Sequence, residues 1–205
     1  MGRAVCLRAD GIHKAYGRTK VLRGVSLEVP AGAVVGVVGE NGAGKSTLLR
    51  VLVGELTADA GTVERAGPLG YCPQHAVVND RLTVEQHLRF FQVAYRLDDL
   101  RTAHRLLEVL SFERCRGRRV GTLSGGTRQK LNLTLALMHD PPILVLDEPY
   151  QGFDWETYQR FWELTAELRE AGRSVLVVSH IAHDRDRFDT IGQLHEGVVE
   201  ERPAG

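Results

Sequence analysis

Cysteine is scarce in this sequence, and long apolar runs are missing from it. The 205 residues include three cysteines, which lie far apart and form no CxxC pair. This spacing argues against a disulfide framework and against a zinc site, and it suits a reducing cytosol. The first residues, MGRAVCLRAD, hold no apolar run long enough for a secretory signal. The most apolar stretch, 33–38, is far shorter than a membrane span, so we expect any membrane role to depend on another chain.

Net charge is also missing. Lys+Arg and Asp+Glu each total 26, so no overall field favours a polyanion and we expect no nucleic-acid partner. One local basic run exists, which we interpret as a solvated loop: Arg114, Arg116, Arg118 and Arg119. Apolar residues make up 43% and charged residues 25%, as in ordinary globular proteins. We expect one domain over residues 1–205.

The first third of the chain predicts strands followed by a strand–loop–helix unit. Residues 3–30 alternate and carry turn signals at Asp10-Gly11 and Tyr16-Gly17, which indicates short antiparallel strands. Val34–Val38 is wholly apolar and β-branched apart from one glycine, as in a strand covered on both faces. A glycine-rich loop and a helix over about 45–53 follow it. Two more strands are predicted near 62–64 and 70–72.

The rest of the chain predicts a helical stretch and then a strand–helix–strand unit. Thr83 and Gln86 form a capping box at the start of a helix. Further helices are predicted over 100–110 and 124–138, so we place a helical lobe at about 83–139. Strands at 143–146 and 174–178 flank a helix over 156–171. Such units predict an α/β fold with a mainly parallel sheet.

The loop after the first apolar strand carries the strongest motif. Residues 39–46 read GENGAGKS, a full match to G-x-x-x-x-G-K-[ST] between a buried strand and a helix. Its glycines allow successive backbone N–H groups to surround phosphate oxygens, and the helix N-terminus adds positive potential. Lys45 is expected to reach the β- and γ-phosphates, and the Ser46 hydroxyl to bind Mg²⁺. The motif predicts ATP and Mg²⁺ as ligands, with nucleotide contacts from Gly39, Asn41, Gly42, Ala43, Gly44, Lys45, Ser46 and Thr47.

An acidic pair ends the apolar strand at 143–146. Asp147 is placed to hold magnesium, and Glu148 beside it to polarise the attacking water. Acidic residues often end strands for no catalytic reason. The phosphate-binding loop upstream makes the catalytic interpretation the better one.

A third motif narrows the class of P-loop protein. Residues 123–127 read LSGGT, directly before an apolar helix. Here the sequence resembles the ATP-binding subunits of ABC transporters, whose signature is LSGGQ. The resemblance covers nearly the whole chain, with the motifs in family order. It implies a RecA-like core with a mainly parallel sheet, an N-terminal antiparallel β subdomain and an inserted helical lobe.

The resemblance also assigns roles to single residues. Tyr16 matches the aromatic that stacks on adenine, and Gln74 the glutamine that binds magnesium and links to the transmembrane partner. Asp154 matches the aspartate that crosses the dimer interface, and His180 the switch histidine that contacts the γ-phosphate. Taken singly, each has a structural alternative, such as a packed aromatic or an exposed loop residue. We set aside a metal site at His183, Asp184 and Asp186, because no fourth ligand is evident.

The resemblance further implies that ATP is hydrolysed by a dimer. Ser124, Gly125 and Gly126 of one subunit would contact the γ-phosphate held by the other. Either a homodimer or a heterodimer is compatible with the motifs. Two departures from the family pattern are Thr127, where glutamine is usual, and the bulky segment 149–154, PYQGFD.

The segment 80–88, DRLTVEQHL, resembles exporter-type subunits, especially the ABC-2 group. The chain ends soon after His180, so we expect no importer-type regulatory domain. We therefore expect a cytoplasmic ATPase held at the inner membrane face by an integral permease chain, exporting a drug, lipid, peptide or polysaccharide. The alternatives are a soluble ABC ATPase, for example in cofactor assembly, and a P-loop small-molecule kinase.

Overall fold

The computed structural model describes residues 4–75, 78–179 and 185–203. These residues form two β-sheets and five α-helices. The helices are α1 (Lys45–Val53), α2 (Val84–Tyr95), α3 (Arg101–Val109), α4 (Gly125–Leu137) and α5 (Trp155–Glu170). Each lies within two residues of a predicted position.

The smaller sheet is antiparallel, with strand order β2-β1-β4. Its strands are β1 (Val5–Tyr16), β2 (Thr19–Pro30) and β4 (Ala60–Arg65). The expectation of short strands over 3–30 is wrong, because β1 and β2 each run for 12 residues. Gly11, expected in a turn, lies in a bulge within β1: its φ is +57° and its N–H donates to Ser26 Oγ at 3.0 Å. Only the Tyr16-Gly17 signal marks a turn between strands.

The larger sheet has the order β5-β6-β7-β3-β8-β9. Its strands are β3 (Val34–Val38), β5 (Leu69–Cys72), β6 (Ile143–Asp147), β7 (Ser174–Ser179), β8 (Thr190–His195) and β9 (Val198–Pro203). All neighbours are parallel except β9, which is antiparallel to β8. The predicted α/β fold with a mainly parallel sheet is confirmed. Sequence reasoning did not predict β8 and β9.

The helices at 83–139 pack onto this sheet through α4. The predicted capping box is present, since Thr83 N–H donates to Gln86 Oε1 and Gln86 N–H to Thr83 Oγ1. Every α4 residue from Gln129 to Leu137 is buried, and α4 lies against β5 and β6. One cluster of buried side chains joins Leu88 and Leu107 of the helices to Leu144 of the sheet. No helix in the described part of the chain is long and apolar enough to cross a membrane.

Candidate functional site

The loop 39–44 connects β3 to α1 and is shaped by its glycines. Gly42 and Gly44 have φ of +85° and +105°, a region that side-chain-bearing residues rarely adopt. Gly44 is the N-cap of α1, and no side chain caps the helix. The first-turn N–H groups of α1 are therefore not occupied by a capping side chain, which suits an anion.

A cavity of about 230 Å³ lies at this loop. Its lining combines four separate parts of the chain: β2, the loop with the start of α1, the segment after β5, and the end of β6. Because β5 and β6 are parallel neighbours, with Cys72 opposite Leu146, the segments that follow them reach the same sheet edge. The lining residues are Val21, Asn41, Gly42, Gly44, Lys45, Ser46, Thr47, Gln74, Asp147 and Glu148.

The ammonium group of Lys45 lies across the loop. Its Nζ donates to the carbonyl oxygens of Gly39 at 2.6 Å and of Glu40 at 3.0 Å. An ammonium group has three donors and a full positive charge. Together with the N-terminus of α1, it makes this side of the cavity suited to phosphate oxygens.

The opposite wall holds the acidic pair. Asp147 and Glu148 are each only 5% exposed. Glu148 has a φ of +48°, unusual for a residue with a side chain. Its backbone is bonded on both sides, with its N–H donating to Val178 O at 2.9 Å and its carbonyl accepting from Gln151 N at 3.1 Å. Ser179 Oγ, 3.4 Å from Glu148 Oε2, donates to the carboxylate, so its direction is also defined.

The side chains around this cavity fit Mg²⁺. Ser46, Gln74 and Asp147 offer a hydroxyl, an amide and a carboxylate oxygen, the ligand types that Mg²⁺ prefers. Burial raises the pKa of the Cys72 thiol, and the negative charge of Asp147 raises it further. Because Asp147 is buried, a bound cation would compensate its negative charge.

No other metal cluster is found within 4–75, 78–179 and 185–203, where no group of three or more His, Cys, Asp or Glu side chains suits an ion. His180, His183 and Asp184 lie outside the described residues. Tyr16 ends β1 and is 49% exposed, and it is not among the residues lining the cavity.

Part of the segment 123–127 lines a second cavity. Ser124 is the N-cap of α4: its Oγ accepts from Thr127 N–H at 3.2 Å and lies 2.9 Å from Thr127 Oγ1. Gly125 and Gly126 line a second cavity of about 330 Å³ together with Gln151 and Gly152. Gln74 lines both cavities. Within one chain, therefore, Ser124, Gly125 and Gly126 do not line the phosphate-loop cavity.

Asp154 is held at the start of α5. Its Oδ1 accepts from Thr157 N–H at 2.8 Å, which lowers the pKa of Asp154. Sequence reasoning missed its neighbour Lys130, a largely buried lysine on α4 whose pKa burial lowers. Lys130 Nζ donates to Thr157 Oγ1 at 2.8 Å and lies 4.0 Å from Asp154 Oδ2.

Two buried amides on α4 were also missed. Gln129 Nε2 donates to Glu148 O at 3.4 Å, and Asn132 Nδ2 donates to Pro73 O at 2.7 Å. They connect α4 to the acidic pair and to the segment that carries Gln74. Their signal in the sequence is two amides three residues apart, next to the apolar end of the helix.

The family model described as ABC transporter matches residues 22–151, which include the phosphate loop, LSGGT and the acidic pair. This chain belongs to the ABC transporter family. The resemblance stated from the motifs is thereby confirmed.

Curated relatives in the ABC transporter family include export and resistance proteins. The chain is 32% identical over 203 residues to Nod factor export ATP-binding protein I of Ralstonia nicotianae, covering 92% of this chain and 63% of the relative. It is 31% identical over 208 residues to linearmycin resistance ATP-binding protein LnrL of Bacillus subtilis, covering 93% and 67%. ABC transporter G family member 20 of Dictyostelium discoideum is 28% identical over 215 residues. That match covers 98% of this chain and 30% of the relative, so the chain spans only part of these proteins.

Solved ABC structures share the fold. The structure of an ATP-binding subunit of an ABC transporter matches with a TM-score of 0.90 and 28% identity, covering 97% of this chain and 90% of that one. A dimeric bacterial ABC transporter cassette matches with a TM-score of 0.89 and 24% identity, covering 97% and 99%. The RecA-like fold expected from the motifs is confirmed.

The bulky residues of this ABC chain at 150–153 have a structural explanation. Tyr150 makes edge-on ring contacts with Tyr158 and Phe161 and lies 6.1 Å from the ring of Trp162. The ring of Phe153 lies 5.9 Å from Lys130 Nζ. Tyr150 therefore packs against the aromatic side chains of α5, and Phe153 lies against α4.

Proposed function

We propose that this chain is the ATP-hydrolysing subunit of an ABC exporter and that it works as a dimer. One observation carries the proposal. A single cavity brings Lys45, Ser46, Gln74, Asp147 and Glu148 together, whereas Ser124, Gly125 and Gly126 do not line it. The chain thus has a nucleotide site that a second chain would complete.

ATP binds through the loop 39–44 and the start of α1. The β- and γ-phosphate oxygens accept hydrogen bonds from the first-turn N–H groups and from Lys45. Lys45 Nζ bonds two loop carbonyl oxygens, and its third donor can bond a phosphate oxygen. Ser46, Gln74 and Asp147 would hold Mg²⁺, which would supply positive charge beside the phosphate oxygens.

Hydrolysis is assigned to Glu148. Its carboxylate accepts a hydrogen bond from a water molecule, whose oxygen attacks the γ-phosphorus while the bond to the β–γ bridging oxygen breaks. The products are ADP and inorganic phosphate. The bonded, left-handed backbone at Glu148 and the contact from Ser179 Oγ limit the movement of this residue, which reduces the reorganisation needed. His180 is proposed as the γ-phosphate contact on the family pattern, and Tyr16 as the adenine contact.

The dimer is proposed because residues 123–127, the signature segment, do not line the phosphate-loop cavity of their own chain. We assign them to the nucleotide site of a second chain. Ser124 opens α4, and a Cβ placed on its neighbour Gly125 would meet no heavy atom within 4 Å, so phosphate oxygens can approach closely. Asp154 lies beside this segment and is proposed to cross the same interface. The dimeric cassette with the same fold supports this arrangement. The partner is a second copy or a closely similar ATP-binding chain.

Export and the membrane partner are proposed from the relatives. Two of them are named for Nod factor export and linearmycin resistance. A permease chain would hold this protein at the cytoplasmic face of the membrane. Gln74 is proposed as the link to it on the family pattern.

The test of the nucleotide site uses two variants. Glu148→Gln should bind ATP, lose nearly all turnover and form an ATP-dependent dimer, measured by sedimentation. Lys45→Ala should weaken ATP binding itself. A Glu148→Gln protein that stays monomeric at saturating Mg-ATP would refute the dimer, and unchanged ATP affinity of Lys45→Ala would refute the site.

The transporter role is tested by affinity capture of Glu148→Gln from detergent-solubilised membranes of its own cells. Co-purification of a multi-span membrane chain that stimulates ATP hydrolysis is the expected result. Recovery of soluble partners alone would favour the non-transport ATPase. Phosphoryl transfer to a metabolite instead of water would favour a kinase.

A further inference from the structure

Trp155 is an exposed tryptophan beside the predicted interface residue Asp154. It is the first residue of α5, and 73% of its surface is exposed. Its ring stacks on Tyr158 at 5.7 Å with an interplanar angle of 22°. The other tryptophan, Trp162, is only 3% exposed. A large apolar ring supported on one face and open on the other is typical of a binding anchor.

The exposed ring is continuous with the signature segment. Gly126 contacts the backbone of Gly152, which places segment 149–154 directly against the N-terminus of α4. Ser124, Gly125, Gln151, Gly152, Asp154 and Trp155 are all exposed in the single chain. The residues that would contact another chain's nucleotide and the ring of Trp155 therefore belong to one surface.

The charges around Trp155 permit its burial. Glu156, the next residue, is paired with Arg160 within α5, at 2.6 Å between Oε1 and Nη2. Asp154 is bonded to Thr157 N–H and lies near Lys130. Because both neighbouring carboxylates already have partners in the same chain, covering the ring does not require burial of an uncompensated charge.

We propose that Trp155 anchors the ATP-dependent contact between two copies of this chain. The inference rests on the proposed dimer and adds the residue that stabilises it. A second copy that brings its phosphate loop to Ser124 and Gly125 approaches the surface that contains Trp155. Burying the ring removes a large apolar area from water, and stacking on Tyr158 limits the conformational entropy lost.

The first experiment measures dimerisation in the Glu148→Gln background with Mg-ATP by sedimentation. Trp155→Ala should raise the dimer dissociation constant about tenfold or more, and Trp155→Phe by a smaller factor, because phenylalanine keeps part of the ring area. ATP binding to the monomer should not change, since Trp155 does not line the ATP cavity. Phe90→Ala is the matched control: Phe90 is 63% exposed but lies on α2, and it should leave dimerisation unchanged.

The second experiment measures tryptophan fluorescence. ATP should shift the tryptophan emission of Glu148→Gln to shorter wavelength as Trp155 is covered, and Trp155→Phe should abolish the shift because Trp162 is already buried. If Glu148→Gln dimerises but neither emission nor the Trp155→Ala dissociation constant responds, the anchor is wrong and the proposed function stands. If Glu148→Gln does not dimerise at all, the proposed function fails and the anchor fails with it.

Discussion

The backbone of Gly126 lies against that of Gly152, so closely that a Cβ at position 126 would overlap the Gly152 carbonyl oxygen. A Cβ on Gly152 would in turn lie 3.3 Å from the amide nitrogen and the α-carbon of Gly126. This contact joins the signature segment to the segment between Glu148 and Asp154. The close approach leaves no room for a side chain between the two segments, so the segment after Glu148 packs directly on the surface that we propose to face a second chain.

Gly126→Ala is expected to damage the folded monomer as well as turnover. The added methyl group requires a backbone shift, which costs roughly 1–3 kcal/mol and lowers Tm by about 2–4 °C per kcal/mol. Gly125→Ala should behave differently, because a Cβ there has no atom within 4 Å. It should keep Tm but lose the ATP-dependent dimer. Thermal unfolding and sedimentation measure the two effects.

Gly117→Ala is the matched control for both glycine variants. A Cβ at Gly117 also meets nothing within 4 Å, and Gly117 lies outside the signature segment. Its Tm and turnover should equal those of the unmodified chain. Equal Tm values for Gly126→Ala and Gly117→Ala would contradict the close packing of Gly126 on Gly152.

Thr127→Val tests the hydroxyl contact with Ser124. Valine keeps the shape and the backbone N–H that donates to Ser124 Oγ, but it removes the hydroxyl 2.9 Å from that oxygen. Loss of one hydrogen bond of about 1 kcal/mol should weaken ATP-dependent dimerisation about fivefold. Thr127→Ser should retain wild-type behaviour. A dimer dissociation constant unaffected by Thr127→Val would show that this hydroxyl does not orient Ser124.

Lys130→Met should lower turnover while changing the stability of the chain only a little. Methionine removes a buried ammonium group whose desolvation is unfavourable, so the free energy of unfolding should change by only about 1 kcal/mol. Turnover should fall about tenfold, because Asp154 and Thr157 lose the group that holds them. Steady-state ATPase rates and thermal unfolding are the measurements. Normal turnover in the variant would mean that Lys130 serves packing alone.

The stability that the Asp154 cap gives to α5 should depend on pH. Asp154→Ala should cost about 1 kcal/mol at neutral pH, and Asp154→Asn much less, since asparagine also accepts from Thr157 N–H. The pKa of Asp154 is lower in the folded chain than its ordinary value of 3.8. The charge-dependent part of the advantage of aspartate over alanine is therefore full above that pH and is lost as the pH falls through the folded pKa. Thermal unfolding at several pH values measures this, and an advantage that does not change on acidification would contradict it.

Local chemistry explains which parts of the site could be predicted. Phosphate binding requires particular residues at short spacing, so GENGAGKS was recognisable without any tertiary information. The capping box at Thr83 is also local, since each of its bonds spans three residues.

Other features depend on distant contacts and carry weak sequence signals. β8 is defined by pairing with β3, more than 150 residues earlier, and its residues TIGQLH do not alternate clearly. Asp10-Gly11 has the composition of a turn, but pairing with β2 and β4 keeps β1 extended through it. Lys130 reads as an ordinary surface lysine until α4 is seen to be buried on the sheet.

By itself, then, the sequence determined the family, the phosphate loop and the acidic pair, because these rest on residue types at short, defined spacings. Only the tertiary structure decided that Gly125 and Gly126 line a different cavity from the phosphate loop, that Gly126 packs on Gly152, and that Trp155 lies exposed beside them. Those relationships arise where α4 and α5 are placed on the sheet. Such placement comes from the burial of many distant side chains at once, which no local pattern encodes.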